Sequence, residues 1–268
     1  MAPRMPTYEH VEVTRAADGA VGRITFDRPE RNNSMNRQAA AELNGAAIDL
    51  VEDGTVRCIV LTGTEGAFNT GADLTMLSGD GTDAATIRRV AGDLHGMVSQ
   101  LARAPKPVVC GVNGVAAGGG VGPALCGDVV IATGSARFEF AYPRIGLSAD
   151  GGSSYFLPRL VGLRGAQRIA FRDEPVDADE AVELGLATET VDDDGFEARL
   201  AEEAAHLAEE PTLAHAATKR LLRGSFDRSL DAQLATEAET IAGLTASEDF
   251  ARGLESFLGE GDAEFEGA

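Results

Sequence analysis

Apolar residues alternate with polar ones near the start of the chain and then give way to unbroken apolar runs. Val11 and Val13, followed by Val21, Ile24 and Phe26, predict two short strands around Asp18-Gly19, a dipeptide suited to a tight hairpin turn. Asp27-Arg28-Pro29 ends the second strand. Asn36 offers a helix cap, and the pattern behind it predicts a helix to about Asp53. Residues 58–62, 108–112 and 129–132 are continuous apolar runs, predicting strands buried on both faces. Between these runs lie a loop over 63–74, a helix over about 83–103, and a short apolar helix that follows Gly118-Gly119-Gly120 and ends at Cys126. Strands alternating with helices predict an α/β core. From about Gly151 the pattern turns helical, with helices predicted over 177–185, 196–208, 211–223 and 229–246.

A chain of 268 residues can bury a sizeable core without disulfides or metals. No Pro/Gly/Ser linker divides it, so residues 1–200 read as the core and 201–268 as a helical region packed on the core or on a neighbouring subunit. The acidic, glycine-rich residues 260–268 read as a frayed tail. Asp and Glu number 43 against 23 Lys and Arg, a net charge of −20 that repels polyphosphate and excludes nucleic acid as a partner. Lys106 and Lys219 are the only lysines, and an acidic, lysine-poor surface suits a chain soluble in high salt, a halophilic trait. Cys58, Cys110 and Cys126 form neither a metal spacing nor a disulfide framework and point to a reducing, cytoplasmic setting. The first residues lack the apolar run of a signal peptide. Residues 107–127 are uncharged, but glycines, Asn113 and Pro123 interrupt them, which argues against a membrane span.

The chain has no phosphate-binding P-loop, no G-x-S-x-G elbow and no H-E-x-x-H pair, so nucleotide hydrolysis and metal catalysis are not expected. Two glycine-containing loops each follow a buried strand: Gly66-Ala67-Phe68-Asn69-Thr70-Gly71-Ala72-Asp73-Leu74 and Gly114-Val115-Ala116-Ala117-Gly118-Gly119-Gly120. Glycines allow a backbone to approach a ligand closely. Two N–H groups converging on one oxygen make an oxyanion hole. Glycines that only permit tight strand–helix packing are the alternative at this level.

These two loops resemble the signature of the crotonase, or enoyl-CoA hydratase/isomerase, superfamily. So do Phe26-Asp27-Arg28-Pro29-Glu30 with Asn33-Ser34-Met35-Asn36, Lys106-Pro107 with Val112-Asn113-Gly114, and Ile145-Gly146-Leu147 with Gly151-Gly152-Ser153-Ser154 and Leu157-Pro158-Arg159-Leu160-Val161-Gly162. The resemblance implies an α/β fold, a crotonase-like spiral of ββα units with a C-terminal helical trimerisation region, and a homotrimer or hexamer. It implies an acyl-CoA thioester substrate, no cofactor apart from the coenzyme A that the substrate carries, and no membrane partner. By position, the backbone N–H groups of Ala72 and Gly119 would form the oxyanion hole. Asn69, Thr70, Asp73, Leu74 and Gly118 would border the pantetheine channel, with Asp73 holding its loop. Arg28 and the backbone near Ser34 would meet the nucleotide end, and Tyr142 would line the acyl pocket.

Departures from the family pattern bear on the reaction. The family's hydratases use two glutamates to hold a water, and the matching positions here are Gly122 and Tyr142. Neither is a water-activating base at neutral pH. Glu139 could stand in only if strand alternation did not turn it away from the Tyr142 face. Asp150, before Gly151-Gly152-Ser153-Ser154, matches the single acid of the family's isomerases, most closely the ring-1,2-epoxyphenylacetyl-CoA and Δ3,Δ2-enoyl-CoA isomerase branch. A helix N-cap is the plainer role for such an aspartate. The expected function is therefore double-bond isomerisation by Asp150, a route with no metal. A hydratase, a thioester dehalogenase with Asp150 as nucleophile, and a non-catalytic acyl-CoA-binding subunit are the alternatives.

Overall fold

The computed structural model describes residues 7–259 and 263–268. Strands β1 (Val11–Ala16) and β2 (Val21–Phe26) pair antiparallel, and the turn passes through Asp18 at φ 52°. Asn36 caps α1 (Arg37–Glu52), its side chain accepting from the Ala39 N–H at 2.8 Å. Such a cap contributes about 1 kcal/mol.

Three units then repeat one pattern of strand, turn, shorter strand and helix. The first holds β3 (Cys58–Gly63), β4 (Ala67–Asn69) and α2 (Asp83–Arg103). Next come β5 (Val108–Val112), β6 (Val115–Ala117) and α3 (Val121–Leu125). The third holds β7 (Val129–Thr133), β8 (Arg137–Glu139) and α4 (Ser153–Leu160). After α5 (Gly162–Arg172) come β9 (Val176–Asp177), α6 (Ala178–Leu184) and β10 (Glu189–Val191). The leading strands build a six-stranded sheet in the order β1-β2-β3-β5-β7-β10, and the second strands build a four-stranded sheet, β4-β6-β8-β9. Each unit thus steps from one sheet to the other, which produces the expected ββα spiral.

Two expectations need correction. Residues 63–74 and 114–120 are not loops throughout, because β4 and β6 lie within them. A three-residue strand is too short to show periodicity and is held by its neighbours instead. Nor is the chain purely helical beyond Gly151, since β9 and β10 complete the two sheets.

Strand alternation divides the core. Ile59, Leu61, Val108 and Cys110 face α1 and α2 in one apolar cluster. Cys58, Val60, Val109 and Ile131 face the other way, onto Phe196, Leu200, Ala204 and Ala208 of α7 (Phe196–Glu209). Residue 200 therefore lies within a helix that packs on the sheet. The remaining helices are α8 (Thr212–Gly224), α9 (Leu230–Leu244) and α10 (Glu248–Phe257). The frayed-tail expectation is corrected for residues 263–268, while 260–262 lie outside the described residues. Buried Asp249 accepts from the Glu266 and Gly267 N–H groups, both at 2.8 Å, and Arg57 donates to the Phe265 carbonyl. Among the described residues no helix is long and apolar enough to cross a membrane.

The chain's two lysines are both buried. Lys106 Nζ donates to the Leu50 and Asp53 carbonyls. Lys219 Nζ, on α8, donates to the Leu101 and Lys106 carbonyls at 3.1 and 3.2 Å and to Asp128 at 2.7 Å. Burial lowers the pKa of Lys219, partly offset by Asp128. This ammonium pins the helical region to the core, so Lys219→Ala should cost about 3 kcal/mol by removing a buried cation that Asp128 and two carbonyls share. Urea denaturation monitored by circular dichroism measures it, and a loss below about 0.5 kcal/mol would show that the contact is energetically idle.

Candidate active site

The two glycine-containing loops meet between the sheets. Met35 donates to the Gly71 carbonyl at 2.7 Å and accepts from the Asp73 N–H at 2.9 Å, forming a parallel bridge to Ala72. In a parallel bridge the central residue's own N–H points to the opposite side. Here that side is a cavity of about 410 Å³ whose wall includes Ala72, Gly118 and Gly119. Gly71 is at φ 84°, and a Cβ there would lie 2.8 Å from the Gly119 nitrogen. Only glycine at position 71 lets this backbone come so close to Gly119. Gly119 lies in the short turn before α3.

The rest of the wall is largely apolar. Ile87, Val90, Ala91 and Leu94, on one face of α2, form one side. Met35, Leu74, Tyr142, Ile145 and Leu147 contribute elsewhere. Asp150 is the only carboxylate among the described lining residues. Its side chain does not cap α4. The N-cap is Gly152, and it is the Asp150 main-chain carbonyl that accepts from the Ser153 N–H and hydroxyl. Instead, Asp150 Oδ1 lies 2.6 Å from His95 Nε2, on α2. Sequence reading passed over His95. The two residues are 55 apart, and the fold brings α2 against the segment that precedes α4.

Positions of the family's hydratase glutamates are closed or changed. A Cβ at Gly122 would run into the Gly151 carbonyl oxygen, so this backbone has no room for any side chain there. Tyr142 is buried, and burial pushes its pKa up to about 12. Its hydroxyl is near the Asp150 main chain and Ser153 but has no hydrogen-bond partner of normal geometry among the described residues. Glu139 does not line the cavity; Arg144 binds it at 2.7 Å and Asp173 at 2.6 Å. The two carboxylates raise the Arg144 pKa, Glu139 foremost.

The expected binding residues divide into two groups. Thr70, Leu74, Gly118 and Tyr142 line the cavity with Ala72, Gly119 and Asp150. Arg28, Ser34, Asn69 and Asp73 do not; they are buried and brace the first loop. Asn69 donates to the Asn33 carbonyl at 2.6 Å and accepts from the Gly71 N–H at 2.8 Å. The Arg28 guanidinium donates to the Ser34 carbonyl at 2.5 Å and to Asp73 at 3.2 Å. The Arg28 guanidinium, expected at the nucleotide end, is turned inward, with the Ser34 carbonyl and Asp73 as its partners. Asp73 holds the loop as expected. Hydrogen bonds from Thr75, joined by the Arg28 contact, keep its carboxyl below the usual range.

The fold is of the crotonase type, and comparison with known proteins agrees. Residues 16–268 match the enoyl-CoA hydratase/isomerase family model. The chain is 40% identical to a Rhodobacter capsulatus protein named "Probable enoyl-CoA hydratase", covering 91% of this chain and 93% of that one. It is 36% identical to the 1,2-epoxyphenylacetyl-CoA isomerase of Escherichia coli, covering 91% and 94%. It is 32% identical to 4-chlorobenzoyl coenzyme A dehalogenase-2 of an Arthrobacter species, covering 92% and 90%. An enoyl-CoA hydratase/isomerase structure from Cupriavidus metallidurans superposes with a TM-score of 0.88 at 29% identity, covering 98% of each chain. The chain belongs to the enoyl-CoA hydratase/isomerase family and has the crotonase fold.

The contact between Gly122 and Gly151 seats Asp150 beside the cavity. Gly122→Ala should force these segments apart, lowering stability by about 1–3 kcal/mol and reducing thioester turnover with it. Thermal melting and an acyl-CoA activity assay measure the two effects. An unshifted melting temperature would show that the segment yields freely.

Proposed function

We propose that this protein is an enoyl-CoA isomerase that moves a double bond with one carboxylate. The observation that carries this reading is the single acid, Asp150, on the wall that also holds Ala72 and Gly119. The thioester oxygen sits between the N–H groups of Ala72 and Gly119, which stabilise the negative charge that develops there. Asp150 takes a proton from C2 of a 3-enoyl-CoA, and the C–H electron pair moves into the enolate. The dienolate then takes the proton back at C4, leaving the double bond conjugated with the thioester. Water addition by the family's hydratases uses a second carboxylate to hold the water, and neither the closed Gly122 position nor Tyr142 supplies one. The scheme requires no separate cofactor.

Asp150→Asn should slow conversion of 3-hexenoyl-CoA to its conjugated isomer on the order of 10³-fold, with melting unchanged. Formation of the conjugated thioester is followed by ultraviolet absorbance. An asparagine variant as fast as the wild type would remove Asp150 from the mechanism. The contact between His95 and Asp150, together with the likeness to the Arthrobacter dehalogenase, favours one second reading: attack of Asp150 itself on an aryl thioester. Chloride release from 4-chlorobenzoyl-CoA would support that reading.

The same proposal extends to assembly as a homotrimer or hexamer. Leu222, Phe226, Leu230 and Ile241 of the C-terminal helical region are 62–71% exposed, an apolar surface suited to a second copy. Sedimentation should give a trimer or hexamer mass; a monomer at micromolar concentration would contradict it. A cytoplasmic setting is supported by the three buried, unpaired cysteines. Solubility in high salt is supported by the net charge of −20 and by a surface that both lysines leave to arginine.

A further inference from the structure

Asp150 is shared between two cavities. On one side it faces the acyl cavity described above. On the other it lines a second cavity of about 600 Å³ with His95, Ser99, Arg103, Arg223 and Asp227 among its walls. His95 borders this second cavity and not the first. Its side chain is 53% exposed and that of Asp150 is 35% exposed. The imidazole therefore touches the carboxylate from the side opposite the substrate and reaches open water. Apolar residues of α2 line the acyl cavity, and the only other charged group among its described lining residues, Arg144, is tied to Glu139 and Asp173.

We propose that His95 is a positioning residue that also connects the Asp150 carboxyl to solvent as a proton relay. The proposal rests on Asp150 acting as the base. Once Asp150 has taken the C2 proton, the neutral imidazole accepts a proton from the carboxylic acid on Nε2. Asp150 returns to carboxylate and His95 becomes imidazolium. The exposed imidazolium exchanges its N–H protons with water and passes one back to Asp150. The carboxyl then delivers to carbon a proton that came from solvent. Protons and charge balance, and water is the only co-reactant. Without the relay, exchange would depend on water reaching the Asp150 carboxyl itself.

The test is deuterium exchange at C2 of phenylacetyl-CoA in heavy water, read by NMR. This thioester has an acidic C2 and no C4 position to accept a shifted proton. The wild type should exchange, and Asp150→Asn should not. His95→Gln keeps an N–H donor facing Asp150 but cannot carry a proton. It should exchange roughly tenfold or more slowly, a larger loss than the same variant shows in isomerising 3-hexenoyl-CoA. Exchange by His95→Gln at the wild-type rate would overturn the relay. Equal loss of exchange and isomerisation would reduce His95 to a structural contact. A wild type that isomerises without exchange would overturn the relay and keep the isomerase. Exchange without isomerisation would keep the relay and overturn the isomerase. Loss of both would remove Asp150 as the base and the relay with it.

Discussion

Everything at the site depends on two backbone segments lying closer than side chains permit. Gly71 lies against the Gly119 nitrogen at a backbone angle that favours glycine. That approach, with the Met35 bridge behind it, turns two strand ends of successive units toward one cavity. The spiral explains how the segments meet. β4 and β6 are parallel neighbours in the smaller sheet, so the residues that follow them emerge side by side. Arg28, Asn69 and Asp73 then fix the first loop from below. These polar groups serve geometry, and the hydrogen bonds they make leave the Ala72 N–H directed at the cavity.

A second close approach selects the chemistry. The Gly151 carbonyl occupies the space that a side chain at position 122 would need. One segment thus excludes an acid from position 122 and presents Asp150 from the neighbouring position. With Tyr142 neutral across the usable pH range and Glu139 bound to Arg144, a single carboxylate remains at the cavity. One carboxylate can lift and return a proton, and the described wall offers no second carboxylate to activate a water.

Much of this was legible in the chain. The hairpin at Asp18-Gly19, the Asn36 cap and the buried runs were written in local pattern, because each depends on neighbouring residues. The family motifs pointed to Ala72, Gly119 and Asp150, and the structure brings these three to one cavity. Three-residue strands were invisible because their stability comes from partners distant in sequence. The burial of Arg28 was not legible, because a cation beside a motif looks available until its packing is known. His95 offered no signal at all, since its meaning is a contact between α2 and the segment that precedes α4. The last residues looked unstructured by composition, yet Asp249 holds them by their backbone.

The most direct test of a one-carboxylate site is the product made from cis-3-hexenoyl-CoA by the purified protein, analysed by NMR through to equilibrium. The account predicts 2-hexenoyl-CoA alone, in balance with the starting isomer. Accumulation of 3-hydroxyhexanoyl-CoA would contradict it, because it would mean that the cavity holds and activates a water.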